Sequence, residues 1–469
     1  MASTYDIVII GAGPGGYVAA IRGAQRGAKV ALVDREGIGG TCLNYGCIPT
    51  KALVRDAELY RDATSGDYCV DVEGSFHLDF SRLMERKREV VDTLVGGVER
   101  LLGSYGVDVF IGHGRIERPG LVEVHGEKST QELPCDAIII ATGSIPSRAP
   151  IAGNGLPGVV SSRELLEIDS LPERLVIVGG SAVGVEFACI FQALGTKVTL
   201  LGRKSFVKET EPQISRRLRA YMKRQGMSVT IGLTFKSVKP NDKGSLLVEY
   251  ERNGKDLYAE GDLVLLATGR RPNTETLELE RLGIEMEGLA IKVDESLRTN
   301  VPDIYAIGDC TGGYMFAHVA SYEAEVAVEN ILGEKRKADY RVVPTCIFTM
   351  PEIADVGMTE AEAKEARLTY TVTRFPFRAN GRALAVGETY GQIRMLCEQT
   401  PEGEGGKVLG VHIIGPRAGD LIAEAALAMR LGATAEEIAQ TIHAHPTMPE
   451  AMMEAAMAHS LGAIHYERR

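Results

Sequence analysis

Two doubly wound α/β units followed by an α+β domain is the architecture that this 469-residue sequence predicts. Three observations carry that expectation. An apolar run, a glycine-rich turn, an apolar helix and a second apolar run follow one another at residues 5–34. The same series recurs from Leu175 to Arg203, and each copy is later closed by an apolar run ending in Ala-Thr-Gly. From Arg341 onward the pattern changes to strands alternating with helices, without a glycine turn.

The first series opens with YDIVII, residues 5–10, a short apolar run bounded by glycine, as a buried parallel strand requires. Gly11-Ala12-Gly13-Pro14-Gly15-Gly16 follows, then a helix-spaced segment and the strand KVALVD ending at Asp34. This is the G-x-G-x-x-G turn in its strand–turn–helix context, the Rossmann pattern. Gly11 makes the turn, Gly13 lets the backbone approach a pyrophosphate, and Gly16 packs helix on strand. The pyrophosphate then meets the helix N-terminus, and Asp34 can bind ribose hydroxyls.

Residues 48–102 are helix-compatible and highly charged, which predicts solvent-facing helices inserted into the first unit. Residues 107–135 alternate as β-strands do, and DAIIIAT closes the unit at Thr142-Gly143. In the second unit the turn is Gly179-Gly180-Ser181-Ala182-Val183-Gly184, with serine at the middle glycine position, and DLVLLATGR closes it at Gly269-Arg270. Two such units imply two dinucleotides. GRRPN, residues 269–273, reads as a domain exit. VPDIYAIGDC, a strand ending in Gly308-Asp309, precedes a helix start near Met315, Ala317 and His318.

Hydrophobic residues make up 45% of the chain and charged residues 25%, ordinary values for a soluble globular protein. A net charge of −11 argues against nucleic acid or an anionic membrane as partner. No apolar run reaches the roughly 20 residues of a membrane span. MASTYD lacks the flank and apolar stretch of a signal or transit peptide, so a cytoplasmic protein is expected. Six of the eight cysteines (Cys69, Cys135, Cys189, Cys310, Cys346 and Cys397) are scattered. Cys42 and Cys47 are not. They sit close together in GGTCLNYGCIPTK, residues 39–51, just after the first nucleotide unit. In a reducing compartment such a pair reads as redox-active rather than structural. No metal site is expected.

GGTCLNYGCIPTKAL and HAHPTMPEAMMEA, read with the two nucleotide units, make the sequence similar to the flavin disulfide reductases, and within them to the dihydrolipoamide dehydrogenase branch. The resemblance spans nearly the whole chain. It implies FAD, an active-site disulfide, NAD or NADP, and a homodimer acting on a lipoyl-bearing protein. It divides the chain into an FAD-binding domain with the disulfide (1–150), an NAD(P)-binding domain (151–272), a central domain completing the FAD site (273–345) and a dimerisation domain (346–469).

The resemblance also assigns roles. Cys42 is the thiol that meets the substrate, and Cys47 is the thiolate against the flavin. Lys51 pairs with Glu186 beside the flavin. Thr142, Gly143, Asp309 and Ala317 contact FAD. Gly179, Gly184 and Gly269 contact the pyridine nucleotide. His445 is the base and Glu450 its partner, facing the disulfide of the other subunit, while His443 is supporting structure. His318 is expected to pack or cap. NAD-using relatives place an acidic residue where this chain has Gly202, followed by Arg203 and Lys204, which is the pattern for a 2′-phosphate.

Competing readings are an NADPH-dependent reductase of another disulfide, as glutathione reductase is, and an assembly subunit of a lipoyl-dependent complex. GCIPTK and HAHPT fit the first less well, and the intact Cys42, Cys47, His445 and Glu450 argue against the second. A mercuric reductase would need a C-terminal cysteine pair, whereas the last cysteine here is Cys397.

Overall fold

The computed structural model describes residues 4–68, 74–399 and 405–467; Cys69 lies outside them. The fold is α/β, with two Rossmann-like units and a C-terminal α+β domain. In the first unit, strand β1 (Tyr5–Ile10) pairs in parallel with β2 (Val30–Asp34) and with the strand Thr130–Ile140, and β2 pairs with β3 (Asp108–Ile111). Helix α1 (Pro14–Gln25) crosses between β1 and β2. Ile7, Val8 and Ile9 on β1 and Val30, Ala31, Leu32 and Val33 on β2 are buried, so both faces of the sheet are covered.

Gly11 has φ +109°, and a Cβ there would lie 2.2 Å from the carbonyl oxygen of Ala141. A Cβ on Gly16 would lie 1.7 Å from the Gly11 carbonyl oxygen, so only glycine lets α1 seat this close to β1. The second unit repeats this arrangement. Its parallel strands Arg174–Val178, Lys197–Gly202 and Leu263–Leu266 pair in the same way.

The segment after the second unit returns to the first. The strand Ile304–Ala306 pairs with Thr130–Ile140, which brings Gly308 and Asp309 to the carboxyl ends of β1 and its neighbours. Ligands bind at that edge in open α/β sheets. The C-terminal domain is a five-stranded sheet ordered Thr345–Ile347, Glu352–Gly357, Gly405–Gly415, Gln392–Gln399, Tyr370–Pro376. The helices Ala418–Leu431 and Glu450–Met457 contribute to its apolar core.

A short helix α2 (Gly40–Tyr45) precedes the expected charged helices, which are α3 (Cys47–Ser65) and α4 (Phe80–Ser104). They are not simply solvent-facing. Leu53, Val54 and Ala57 on α3 and Leu83 and Met84 on α4 are buried in one cluster with Val185, Phe187, Ala188, Ile190 and Phe191. The latter five belong to a helix (Ala182–Ala193) that is apolar nearly all round because it is covered on every side. Each large side chain buried there contributes roughly 1.5–3 kcal/mol. The segment that carries Cys42 and Cys47 is therefore anchored to the second unit as well as the first. No helix among the described residues is long and apolar enough to cross a membrane.

Candidate active site

A cleft of about 420 Å³ runs along the carboxyl ends of the first sheet. It is lined by Gly11, Gly13, Asp34, Cys42, Cys47, Lys51, Thr142, Gly143, Glu186, Asp309 and Ala317, so residues from five separate stretches of the sequence meet in one space.

The dinucleotide end is built by the glycine turn. A Cβ on Gly13 would meet nothing nearer than the Gly40 Cα at 3.8 Å, which leaves that face open for a phosphate. The buried Thr142 Oγ1 has no hydrogen-bond partner within the described protein, as expected of a hydroxyl that waits for a bound group. Asp34 does more than the sequence suggested. Its Oδ2 accepts the Ala12 N–H at 2.7 Å, and its Oδ1 accepts those of Glu36 at 2.8 Å and Gly37 at 3.1 Å. It thus fixes both loops around the turn. These features fit the diphosphate and ribose of FAD.

The redox end is set on α2 and α3. The two thiols share a hydrogen bond, and their titrations separate as a result. Cys47 is lowered to about 7, first by the hydrogen bond from Cys42 and then, against burial, by the Lys51 charge. Cys42 is pushed well above the ordinary thiol range by the same bond and by burial. One sulfur is thus ready to be a thiolate while the other keeps its proton.

Lys51 Nζ lies 3.0 and 3.1 Å from the two Glu186 carboxylate oxygens. It also sits 4.6 Å from the centre of the Phe348 ring. Glu186 Oε1 accepts the Phe348 N–H at 2.8 Å. With only 9% of its side chain exposed, Glu186 is a buried carboxylate held by two donors, and the pair is more than surface decoration.

For the dithiol protein, the rate of iodoacetamide alkylation at Cys47 is expected to rise as pH passes through about 7, since the thiolate is the form present above its pKa. Lys51→Met removes a cation that lowers the pKa, so its profile shifts to higher pH and alkylation at neutral pH slows. Site-resolved mass spectrometry measures both. A pH profile unchanged by Lys51→Met would show that Lys51 does not act on this sulfur.

The sequence did not foresee Arg270, which was read as part of a domain exit. It turns into the cleft: its Nε donates to Ser144 Oγ at 2.7 Å, and its Nη2 donates to the Ser144 carbonyl at 2.6 Å and to Thr41 Oγ1 at 3.4 Å. Ser144 Oγ in turn donates to Asp309 Oδ2. Burial draws the Arg270 guanidinium down from its usual range, opposed by Asp309 and Cys47. The only local signal is an arginine directly after Ala-Thr-Gly. Met315 and Phe316 also line the cleft at the start of the helix Ala317–Ile331, as a positive helix end facing a bound group would require. His318 stacks on Phe316, with ring centres 5.3 Å apart, and its Nε2 lies 2.9 Å from the Pro344 carbonyl.

His445 and Glu450 are not among the residues lining this cleft in the same chain. His445 Nδ1 is 2.8 Å from Glu450 Oε1, and 77% of the imidazole is exposed. Burial pushes Glu450 up, but the Thr447 N–H at 2.7 Å and the imidazole outweigh it and hold the carboxyl below its usual range. His443 turns the other way. Its ring nitrogens meet Thr441 O at 2.8 Å and Glu424 Oε1 at 2.9 Å, which ties the loop to the helix Ala418–Leu431.

At the second nucleotide turn, Ser181 Oγ donates to the Ala267 carbonyl at 3.0 Å and accepts the Gly184 N–H at 3.4 Å, two bonds that a glycine could not make. Gly179 has φ +127° and Gly269 φ +109°. The strand Lys197–Gly202 ends at Gly202, and Arg203 and Lys204 are exposed. A Cβ at Gly202 would lie 2.6 Å from Ile231 Cδ1.

Residues 5–324 match the family model for pyridine nucleotide-disulphide oxidoreductases, and residues 343–456 match the model for their dimerisation domain. A protein from Bacillus subtilis named dihydrolipoyl dehydrogenase is 40% identical, covering 99% of this chain and 100% of its own length. One of the same name from Haloferax volcanii is 41% identical, covering 99% and 98%. Among solved structures, LpdA from Mycobacterium tuberculosis superposes with a TM-score of 0.88 at 28% identity, over 97% of this chain and 99% of its own. The Cu(II) complex of the HOCl-induced flavoprotein disulfide reductase RclA from Escherichia coli gives 0.86 at 30% identity, with the same coverage.

Proposed function

The chain belongs to the pyridine nucleotide-disulphide oxidoreductase family, and on that premise we propose that it is a dihydrolipoyl dehydrogenase, oxidising protein-bound dihydrolipoamide to lipoamide. The observation that carries this is the hydrogen-bonded Cys42–Cys47 pair, lowered at Cys47 and flanked by Lys51–Glu186, in the cleft formed by the first glycine turn. Its cofactors are FAD and a pyridine nucleotide. Residues 1–150 bind FAD and carry the disulfide, 151–272 bind the pyridine nucleotide, 273–345 complete the FAD site, and 346–469 form the interface of a homodimer. Redox rather than structural cysteines fit a reducing compartment, the cytoplasm.

In the oxidised protein the reaction starts with a proton. Dihydrolipoamide thiols titrate above neutral pH, so His445, oriented by Glu450, takes the proton from one of them. The resulting thiolate attacks Cys42 Sγ and breaks the Cys42–Cys47 bond. Cys47 leaves as a thiolate, which its low pKa makes a good leaving group. The second substrate thiol then attacks the mixed disulfide at the substrate sulfur and closes the lipoamide ring, its proton passing to the departing Cys42 sulfur. FAD, when bound, carries the two electrons from the dithiol to the nicotinamide. Lys51, held by Glu186, presents a positive charge to the cleft where negative charge then accumulates, and Asp309 and Arg270 fix the wall beyond it. Because His445 and Cys42 do not share a cleft within one chain, the base comes from the other copy.

Steady-state turnover of dihydrolipoamide with NAD+ or NADP+, and of NADPH with oxidised lipoamide, glutathione disulfide or Hg(II), tests this reading. Turnover of glutathione disulfide but not lipoamide would replace it with the other reductase reading.

The pyridine nucleotide is NADP or NAD, and Gly202 followed by the exposed Arg203 and Lys204 favours NADP(H). Replacing Arg203 and Lys204 together by alanine is expected to lower kcat/KM for NADP+ by about tenfold to 100-fold, the worth of charge-assisted bonds to a phosphate, while leaving NAD+ little changed. A wild-type preference for NAD+ would contradict it.

A further inference from the structure

Three residues at the edge of the cleft have no part in the chemistry described above. Tyr45 is the last residue of α2, two positions before Cys47. Glu36 lies in the loop that Asp34 anchors. Arg163 belongs to a short helix, Ser162–Leu165, that follows the edge strand Val159–Val160 of the second unit's sheet. That helix is fixed by a reciprocal cap, in which Ser161 Oγ accepts the Glu164 N–H and Glu164 accepts the Ser161 N–H at 2.6 Å.

From this fixed base Arg163 reaches back across to the first unit. Its guanidinium carbon lies 3.6 Å from the centre of the Tyr45 ring, and its Nη1 lies 2.9 Å from Glu36 Oε2. All three side chains line the same cleft as Gly13, Asp34 and Cys47, and Arg163 remains half exposed, as a residue at the mouth must be. A stacked guanidinium also held by a carboxylate joins the helix Ser162–Leu165 to α2 and the Glu36 loop, which the Tyr45 hydroxyl and Asn44 already tie to each other.

We propose that Arg163, Tyr45 and Glu36 form a latch across the mouth of the FAD cleft, which has to open for FAD to leave. The latch has two mechanical consequences. It ties the edge of the second unit to the dinucleotide end of the cleft. It also fixes α2, on which Cys42 sits, against the loop that binds the cofactor. The inference rests on FAD being the cofactor and is independent of the lipoamide reading; a wild-type protein purified without FAD would remove its premise, whatever the substrate.

The test is the rate at which free-flavin fluorescence rises after dilution of the purified holoenzyme. Arg163→Ala and Tyr45→Val are each expected to release FAD about twofold to fivefold faster, the scale of a half-exposed cation–π stack. The double variant should be no faster than Arg163→Ala, because that change already breaks the contact that Tyr45→Val removes. Tyr45→Phe keeps the ring and loses only the hydroxyl's bond to Glu36, so it should stay nearer wild type than Tyr45→Val, and Arg163→Lys should fall between wild type and Arg163→Ala. Arg148→Ala removes a neighbouring exposed ion pair to Glu164 and should leave the rate unchanged. Release from Arg163→Ala at the wild-type rate, multiplicative effects in the double variant, or Tyr45→Phe as fast as Tyr45→Val would each overturn the latch.

Discussion

Cys42→Ser is expected to lower dihydrolipoamide oxidation by on the order of 10^4-fold or more, with FAD still bound. The size of the effect follows from the chemistry. Without the Cys42 sulfur there is no bond to Cys47 for the substrate to break and no mixed disulfide to form, and a serine hydroxyl cannot replace either. The protein should stay folded, because α2 is held by buried Leu43 and by Asn44 Nδ2, which donates to the Ile38 and Gly40 carbonyls at 3.0 Å. The readouts are kcat for dihydrolipoamide and the flavin absorbance of the purified variant. Cys42→Ser retaining more than a few per cent of wild-type kcat would mean that electrons enter by another route.

His445→Gln is expected to cost about 10^2- to 10^4-fold in the same reaction, the range for a lost general base. Glu450→Gln should cost less, because the exposed imidazole keeps its nitrogen and loses only its orienting partner. The loss at His445→Gln should shrink as pH rises and the substrate supplies its own thiolate. The two sets of variants can be combined. If the base and the disulfide come from different copies, mixing Cys42→Ser chains with His445→Gln chains regenerates one intact site in each mixed dimer. Activity should then appear in a mixture of two inactive proteins after dissociation and reassociation. No recovery in demonstrably mixed dimers would place both groups in one chain's site.

Much of this was legible in the sequence because the relevant residues act locally. A glycine turn between a strand and a helix needs particular residues at particular offsets, so both units could be read from residues 5–34 and from Leu175 onward. Cys42, Cys47 and Lys51 lie within one short stretch, as do His445 and Glu450. What escaped was long-range. Arg270 serves the cleft only because the chain after the second sheet folds back onto the first, and no local pattern encodes that return. The helices in residues 48–102 looked solvent-facing because charges dominate their composition. Leu53, Val54 and Ala57 nevertheless make one narrow apolar stripe that meets the helix Ala182–Ala193. Arg163 and Tyr45, 118 positions apart in sequence, touch only through tertiary structure.

The most direct measurement of the central claim is a single anaerobic reduction. Oxidised protein is mixed with one equivalent of dihydrolipoamide per chain, without pyridine nucleotide, then alkylated and mapped by mass spectrometry. The account predicts oxidised lipoamide in equal amount and new alkylation confined to Cys42 and Cys47. Oxidised lipoamide formed without new label at Cys42 and Cys47, or no lipoamide at all, would contradict it.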